Sequence, residues 1–305
     1  MAEKRRMQMM HEIAKMLQRY NIPGRDSYDL PSSPLRFPDG ANYRNEISGI
    51  ESLKEMEALI KEMEKRKVPI HRVIAMGKGT NLLTFKELQE LACMGKESKI
   101  EIIVIPGPRA NFDIGKHATT EWGQFSGVRV RGSDNINYFL QDILRCIDAG
   151  IRGFLFYGED LLFLLHRMRK NGEIPSNLVF KLSYTAGVAN AAGGLLAEQI
   201  GADSINPVTD LTLPMLASLR KAIKIPLDIV TVTFEILGNF NRFWEGSEII
   251  RVTSPCYIKQ ELDSGVENAK TKVQYCEIMR ELINKQNPDL VLSEQGPEDL
   301  RIPLT

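Results

Sequence analysis

"LVFKLSYTAGVANAAGGLLAEQIGADSIN", Leu178–Asn206, decides the fold. An apolar run ending at Ser183 meets a glycine- and alanine-rich stretch, then a helix-like segment, then a second short apolar run. Glycines between two strands suggest a dinucleotide-binding loop. Yet Gly187, Gly193, Gly194 and Gly201 do not follow the G-x-G-x-x-G spacing that such a loop requires. The fold therefore turns on how many similar units flank this one, and on its place among them.

Working outward, strand-like runs begin near residues 43, 72, 100, 128, 153, 178, 203 and 227. Helical patterns separate them; in "ESLKEMEALIKEMEKRK", for instance, Leu53, Met56, Leu59, Ile60 and Met63 fall on one face. Eight units of about 25–30 residues each predict a single (β/α)8 TIM-type barrel, an α/β fold of about 250 residues. A doubly wound sheet also alternates, but its Gly-rich turn follows the first strand, and here the glycines follow the sixth. The barrel is expected over 43–287. An N-terminal helix and a Pro/Ser/Gly/Asp-rich lead-in occupy 1–42, and a tail occupies 288–305.

Bulk composition narrows the function classes. The 39 basic residues balance the 39 acidic ones, so no net field draws the chain to nucleic acid or to a membrane surface. No apolar run approaches the roughly 18 residues of a membrane span. "MAEKRRMQMMHEIAKMLQRY" reads as an amphipathic helix rather than a secretory signal. Cysteines 93, 146, 256 and 276 have no paired spacing, which fits reduced thiols and a cytoplasmic setting.

Strand alternation assigns the barrel interior, since the helix-facing side must be apolar. In the first strand Tyr43 and Ile47 face helices, so Arg44, Glu46 and Ser48 point inward. In "VRVRG" the valines pack outward and Arg129 and Arg131 point inward. Phe180, Leu182 and Tyr184 pack outward, leaving Lys181 and Ser183 inside; Ile205 likewise leaves Ser204 and Asn206 inside. The second, third and fifth strands are too uniformly apolar to assign. Barrel interiors are normally layers of Val, Ile and Leu, so these residues describe a polar, net-positive centre. That centre suits a carboxylate or phosphate substrate, or else a salt-bridge network around Glu46 that only holds the barrel together.

Loops at the C-terminal strand ends add Lys78, Arg109, Asp113, His117, Glu159, Glu235 and Arg242. Of these, Arg109 and Glu159 lie nearest to strand ends. The four histidines have neither HExxH nor HxH spacing, and the cysteines lack an iron–sulfur pattern. A divalent metal on Glu46, Glu159 and Asp210 has no spacing signature. Cys256, in "TSPCYIK", reads as lying beyond a strand end, either as a reactive or as a buried thiol.

Ser183–Ile223, "SYTAGVANAAGGLLAEQIGADSINPVTDLTLPMLASLRKAI", resembles the collagenase-like U32 peptidase family of TIM-type barrels. Val188, Asn190, Gly201, Ala202, Asp203, Asp210 and Leu211 sit where that family's pattern places them. The resemblance implies a hydrolase. Two features depart from it: Thr209–Asp210 stands where Arg-Glu is common, and 228–250 lacks the family's cysteine signature. "FKLSYTAG" is similar to the corresponding strand of class I aldolases such as deoxyribose-phosphate aldolase, which implies a Schiff base on Lys181.

Two enzyme readings follow. In the first, a hydrolase-like barrel clamps a small anion with Arg129, Arg131 and Lys181, assisted by Arg109. Glu46 or Glu159 serves as general acid/base, and Ser183, Asn206 and Ser48 orient the substrate. The second is a Schiff-base lyase. A third reading is a non-catalytic subunit that forms a homo-oligomer through Met7, Met10, Ile13, Ala14 and Leu17 of the first helix, unless that face packs across the barrel's own end.

Overall fold

The computed structural model describes residues 2–107, 120, 123, 128–233 and 238–304, with side chains from residue 9 onward. Eight strands pair in parallel: β1 Tyr43–Ile50, β2 Arg72–Ala75, β3 Glu101–Val104, β4 Gly153–Phe156, β5 Val179–Leu182, β6 Ser204–Ile205, β7 Leu227–Val232 and β8 Cys256–Glu261. They neighbour one another in chain order, and β8 pairs back onto β1, closing the barrel. Nine helices are present among the described residues. Ahead of the barrel stands α1 Ala2–Gln18. Around it run α2 Leu53–Arg66, α3 Phe85–Glu97, α4 Gly132–Asp148, α5 Glu159–Lys170, α6 Ala191–Gln199, α7 Leu213–Ala222, α8 Gly246–Thr253 and α9 Val266–Gln286. The fold is the expected (β/α)8 barrel.

Two expected elements differ. "VRVRG" is not a strand: Val128 and Arg129 lie in turn and bend conformations, Val130 is irregular, and Arg131 is the N-cap of α4. Its alternation mimics a half-buried strand, but β3 pairs directly with β4 and leaves no slot for it. Val130 packs on the helix-side core from a loop instead. The eighth strand is β8, inside a stretch expected to lie beyond the last strand. Six consecutive residue pairs, Tyr43–Cys256 through Ser48–Glu261, join it to β1. The expected count of eight strands thus holds, with one false strand and one missed strand offsetting each other.

Local chemistry sets the helix ends. Ser52 caps α2 by accepting from the Glu55 N–H. Thr84 and Glu87 form a reciprocal capping box on α3, two orphan donors satisfied at once. The glycines of 187–194 serve backbone geometry. Gly187 adopts φ 80, the left-handed turn that carries the chain off β5. At Gly194 a Cβ would meet the Leu219 side chain at 2.5 Å, so its absence lets α6 lie close to α7.

Tyr43, Ile47, Phe154, Phe156, Phe180, Leu182 and Ile205 face the helices in one continuous core. Each such buried side chain contributes about 1.5–3 kcal/mol. At the N-terminal strand ends the lead-in and the tail close a floor. The Ser293 N–H donates to Tyr43 O and the Leu304 N–H to Gly150 O. Arg44 reaches down to Asp299 at 2.6 Å and Asp39 at 3.4 Å, with its guanidinium 4.0 Å from the Phe37 ring centre. Helix α1 touches Gly24 through Ala14 and exposes Met9, Met10, Ile13 and Met16. Of the expected apolar face, Met10 and Ile13 are exposed, Ala14 and Leu17 are half-buried, and the Met7 side chain lies outside the described residues.

Candidate active site at the C-terminal mouth

Inside the barrel the strands divide into two walls. Ile74, Ile103, Ile105, Leu155 and Val179, from β2 to β5 and the loop after β3, form an apolar cluster. Facing it stands a wall of charge from β1, β5, β6, β7 and β8. The alternation read from sequence places Glu46, Lys181, Ser183, Ser204 and Asn206 correctly in this interior, and every one is buried.

The centre of the charged wall is Lys181. Its Nζ lies 2.5 Å from Glu46 Oε1 and 2.8 Å from Asp228 Oδ2. Ser204 Oγ donates to Asp228 at 2.9 Å. From below, Arg72 Nε meets Glu101 at 2.5 Å, and Nη1 donates to Ser204, Asp228 and Glu46 at 3.0, 3.3 and 3.5 Å. The Arg72 guanidinium stacks 3.8 Å from the Tyr257 ring centre. Burial pushes the Glu46 carboxyl up, but Lys181, Lys259 and Arg72 outweigh it, and its pKa falls below the ordinary value. Burial lowers Lys181, with Asp228 and Glu46 opposing, and raises Asp228, with Lys181 opposing. Proton affinities thus converge across the 2.8 Å Lys181–Asp228 contact.

Above this set, toward the C-terminal strand ends, stands Lys259. Its Nζ lies 2.9 Å from Glu261 Oε2 and donates to Asn206 Oδ1 at 3.0 Å. Those contacts account for two of the three donors of an ammonium. The Tyr184 ring lies 5.7 Å away, and Ser48 donates to Glu261 Oε1 at 3.4 Å. Burial pulls Lys259 down, but Glu261 and Glu46 overcome it and hold the ammonium charged. Asn206 is fixed by its own donation to Asp228 O at 2.9 Å.

Several sequence expectations change. Arg129 and Arg131 do not point inward from a strand. Arg129 is a rim residue, 2.7 Å from Glu159 and 3.7 Å from Asp160 at the start of α5, and Arg131 occupies the N-cap position of α4. Glu159 is consequently paired on the rim and apart from Glu46. The centre is not net-positive: Arg72, Lys181 and Lys259 face Glu46, Glu101, Asp228 and Glu261. Arg44 belongs to the floor, and Ser183 is engaged with the Thr185 N–H and hydroxyl. Glu46, Glu159 and Asp210 are not gathered, and no group of three or more metal-ligating side chains occurs among the described residues. Asp210 instead lines a cavity of about 540 Å³ with Arg242, between the loops after β6 and β7. Cys256 opens β8 fully buried, its thiol pushed up to about 12 by burial. Arg109, Asp113, His117 and Glu235 lie outside the described residues.

Sequence reasoning missed Arg72, Asp228, Lys259 and Glu261. The signal for Lys259 and Glu261 was present: Cys256 and Ile258 alternate with Tyr257, Lys259 and Glu261 as any barrel strand does. Asp228 was visible as a lone carboxylate in "PLDIVTVTF".

No family model matches the sequence, and no curated protein matches it. Among solved structures the chain is similar to the U32 peptidase Mk0906, at 14% identity over 90% of this chain and 95% of that one, with a TM-score of 0.41. It is also similar to the YdjI aldolase from Escherichia coli K12, at 12% identity over 80% and 90% of the two chains, TM-score 0.46. A truncated 3-deoxy-D-arabino-heptulosonate 7-phosphate synthase from Thermotoga maritima matches at 13% identity over 86% and 95%, TM-score 0.45. The likenesses are to general shape, and the barrel assignment rests on this chain's own strand pairing.

Proposed function

We propose that the chain is a barrel enzyme acting on a small anionic substrate, a carboxylate or a phosphate, at the C-terminal mouth. The observation that carries this reading is Lys259, held charged at that end by Glu261 and Asn206, with an ion-paired Lys181 beneath it. Barrel active sites lie at that end. Lys259 meets the anion with its remaining donor, Asn206 orients it, and Glu261 moves the proton. Glu46 and Asp228 hold Lys181, which sets the field under the substrate. Hydrolysis is the nominal reaction, through the U32 resemblance. Calorimetric titration with a panel of small carboxylates and phosphate esters tests the reading. A saturable binding event of wild type that is lost in Lys259→Met supports it; a panel in which every such event survives in Lys259→Met removes Lys259 from the site.

A second reading, a Schiff-base lyase, is favoured by one specific observation. Lys181 sits between two carboxylates, with burial drawing it toward the free amine and Asp228 toward the acid. Borohydride treatment with acetaldehyde, pyruvate or dihydroxyacetone phosphate separates the two. A reduced adduct on the Lys181 peptide replaces the first reading with the second, and its absence leaves Lys181 as an electrostatic residue.

A further inference from the structure

The N-terminal end of the barrel, opposite the mouth, holds a second candidate site. Lead-in residues Arg36–Pro38 and tail residues Asp299–Arg301 close over the strand starts, leaving a cavity of about 430 Å³. Its lining carries five cationic side chains and three carboxylates. Each carboxylate is already committed. Glu101 pairs with Arg72 at 2.5 Å and accepts from the Arg301 N–H at 2.9 Å. Asp203 pairs with Arg169 at 2.6 Å, and Asp299 pairs at 2.6 Å with Arg44, which is not part of the lining.

The remaining cations, Arg36, Lys224 and Arg301, have no ion pair among the described residues, and all three are exposed. They come from three different segments, the lead-in, the α7–β7 loop and the tail, yet line one cavity. Its inner wall is Arg72 stacked on Tyr257, and Pro38, Pro226, Pro255 and Leu300 give it apolar surface. A surplus of positive charge, guanidinium forks and an apolar wall together suit a dianionic oxyanion carrying a small organic group. The volume is that of a small-molecule site.

We infer that this floor cavity binds a phosphate-bearing small molecule, with Arg301, Lys224 and Arg36 holding the phosphate and the proline wall receiving the remainder. The site is separate from the mouth, but Arg72 joins them. The same guanidinium that lines the cavity contacts Glu46 and Asp228, the partners of Lys181. A ligand drawing on Arg72 therefore alters the charge seen by Lys181 from the far side of the barrel.

The test is calorimetric titration of the full chain with inorganic pyrophosphate at low salt, in wild type, in Lys224→Ala/Arg301→Ala and in Lys259→Met. Hydrogen bonds to charged groups are strong enough that losing two cations weakens binding by roughly a hundredfold. The expected result is saturable 1:1 binding by wild type and by Lys259→Met, and this large weakening in the floor variant. Both floor substitutions are at exposed side chains, and an unchanged melting temperature establishes that the variant is folded. No saturable binding by wild type, or equal binding by the floor variant, overturns the inference, as does loss confined to Lys259→Met. The last outcome places pyrophosphate at the mouth and leaves that reading standing.

Discussion

The two walls of the barrel interior are built on opposite principles. From β2 to β5, Ile74, Ile103, Leu155 and Val179 fill space as barrel cores ordinarily do. From β5 round to β1, Lys181, Asp228, Lys259 and Glu46 fill the interior with buried charge, with Ser204 bonded among them. Stability does not account for this difference. Buried ion pairs roughly break even with well-packed apolar residues, because desolvation offsets the attraction between the charges. Apolar burial thus accounts for the first wall, and under the proposed function the second serves the mouth.

Substitutions that treat the walls alike put this contrast under strain. Lys181→Met strips Glu46 and Asp228 of their shared cation and is expected to cost about 3–5 kcal/mol in denaturant unfolding. Lys181→Met with Glu46→Leu leaves Asp228 to Arg72, and is expected to recover roughly 1–3 kcal/mol of that loss. A double variant no better than the single would mean that the charges are not coupled. On the apolar wall, Leu155→Ala is expected to cost about 2–4 kcal/mol through its cavity, with no effect on ligand binding.

The floor gives a pH signature distinct from both walls. His71 is fully buried; its Nδ1 accepts from the Asn45 N–H, so Nε2 carries the proton and donates to Ser293 O at 3.0 Å. Burial lowers its pKa from 6.5 to about 4. Between those values the unfolded chain binds a proton that the folded chain refuses, so stability falls as pH drops through the window. The contribution, fully present above about pH 6.5, amounts to roughly 3 kcal/mol lost by about pH 4. Unfolding titrations of wild type and His71→Gln check it: the variant's curve is flatter between pH 6.5 and 5. The smallest effect is expected outside the barrel, where Thr84→Ala removes the α3 capping box at a cost of about 1 kcal/mol.

The sequence made the charged wall legible wherever a strand alternated cleanly. Phe180 and Leu182 around Lys181, and Ile47 beside Glu46, fixed the parity of β5 and β1. Arg72 and Glu101, at the first positions of β2 and β3, carry no alternation signal because the residues that follow them are uniformly apolar. The β8 strand was lost because Lys259, Gln260 and Glu261 look like surface residues, although they are buried in a charged interior. Arg129 was misplaced for the converse reason, since two valines around it imitate a strand in a segment that lies along the rim. Long-range pairing such as Lys181 with Asp228, 47 residues apart, is set by barrel closure and has no local signal.

The most direct test of the charged wall as the reaction centre is amide chemical-shift mapping of the full chain titrated with small carboxylates and phosphate esters. Saturable shifts gathered at Ser48, Asn206, Lys259 and Glu261, absent in Lys259→Met, are the predicted result. Shifts confined to the floor, or none in this group for any anion of the panel, would contradict it.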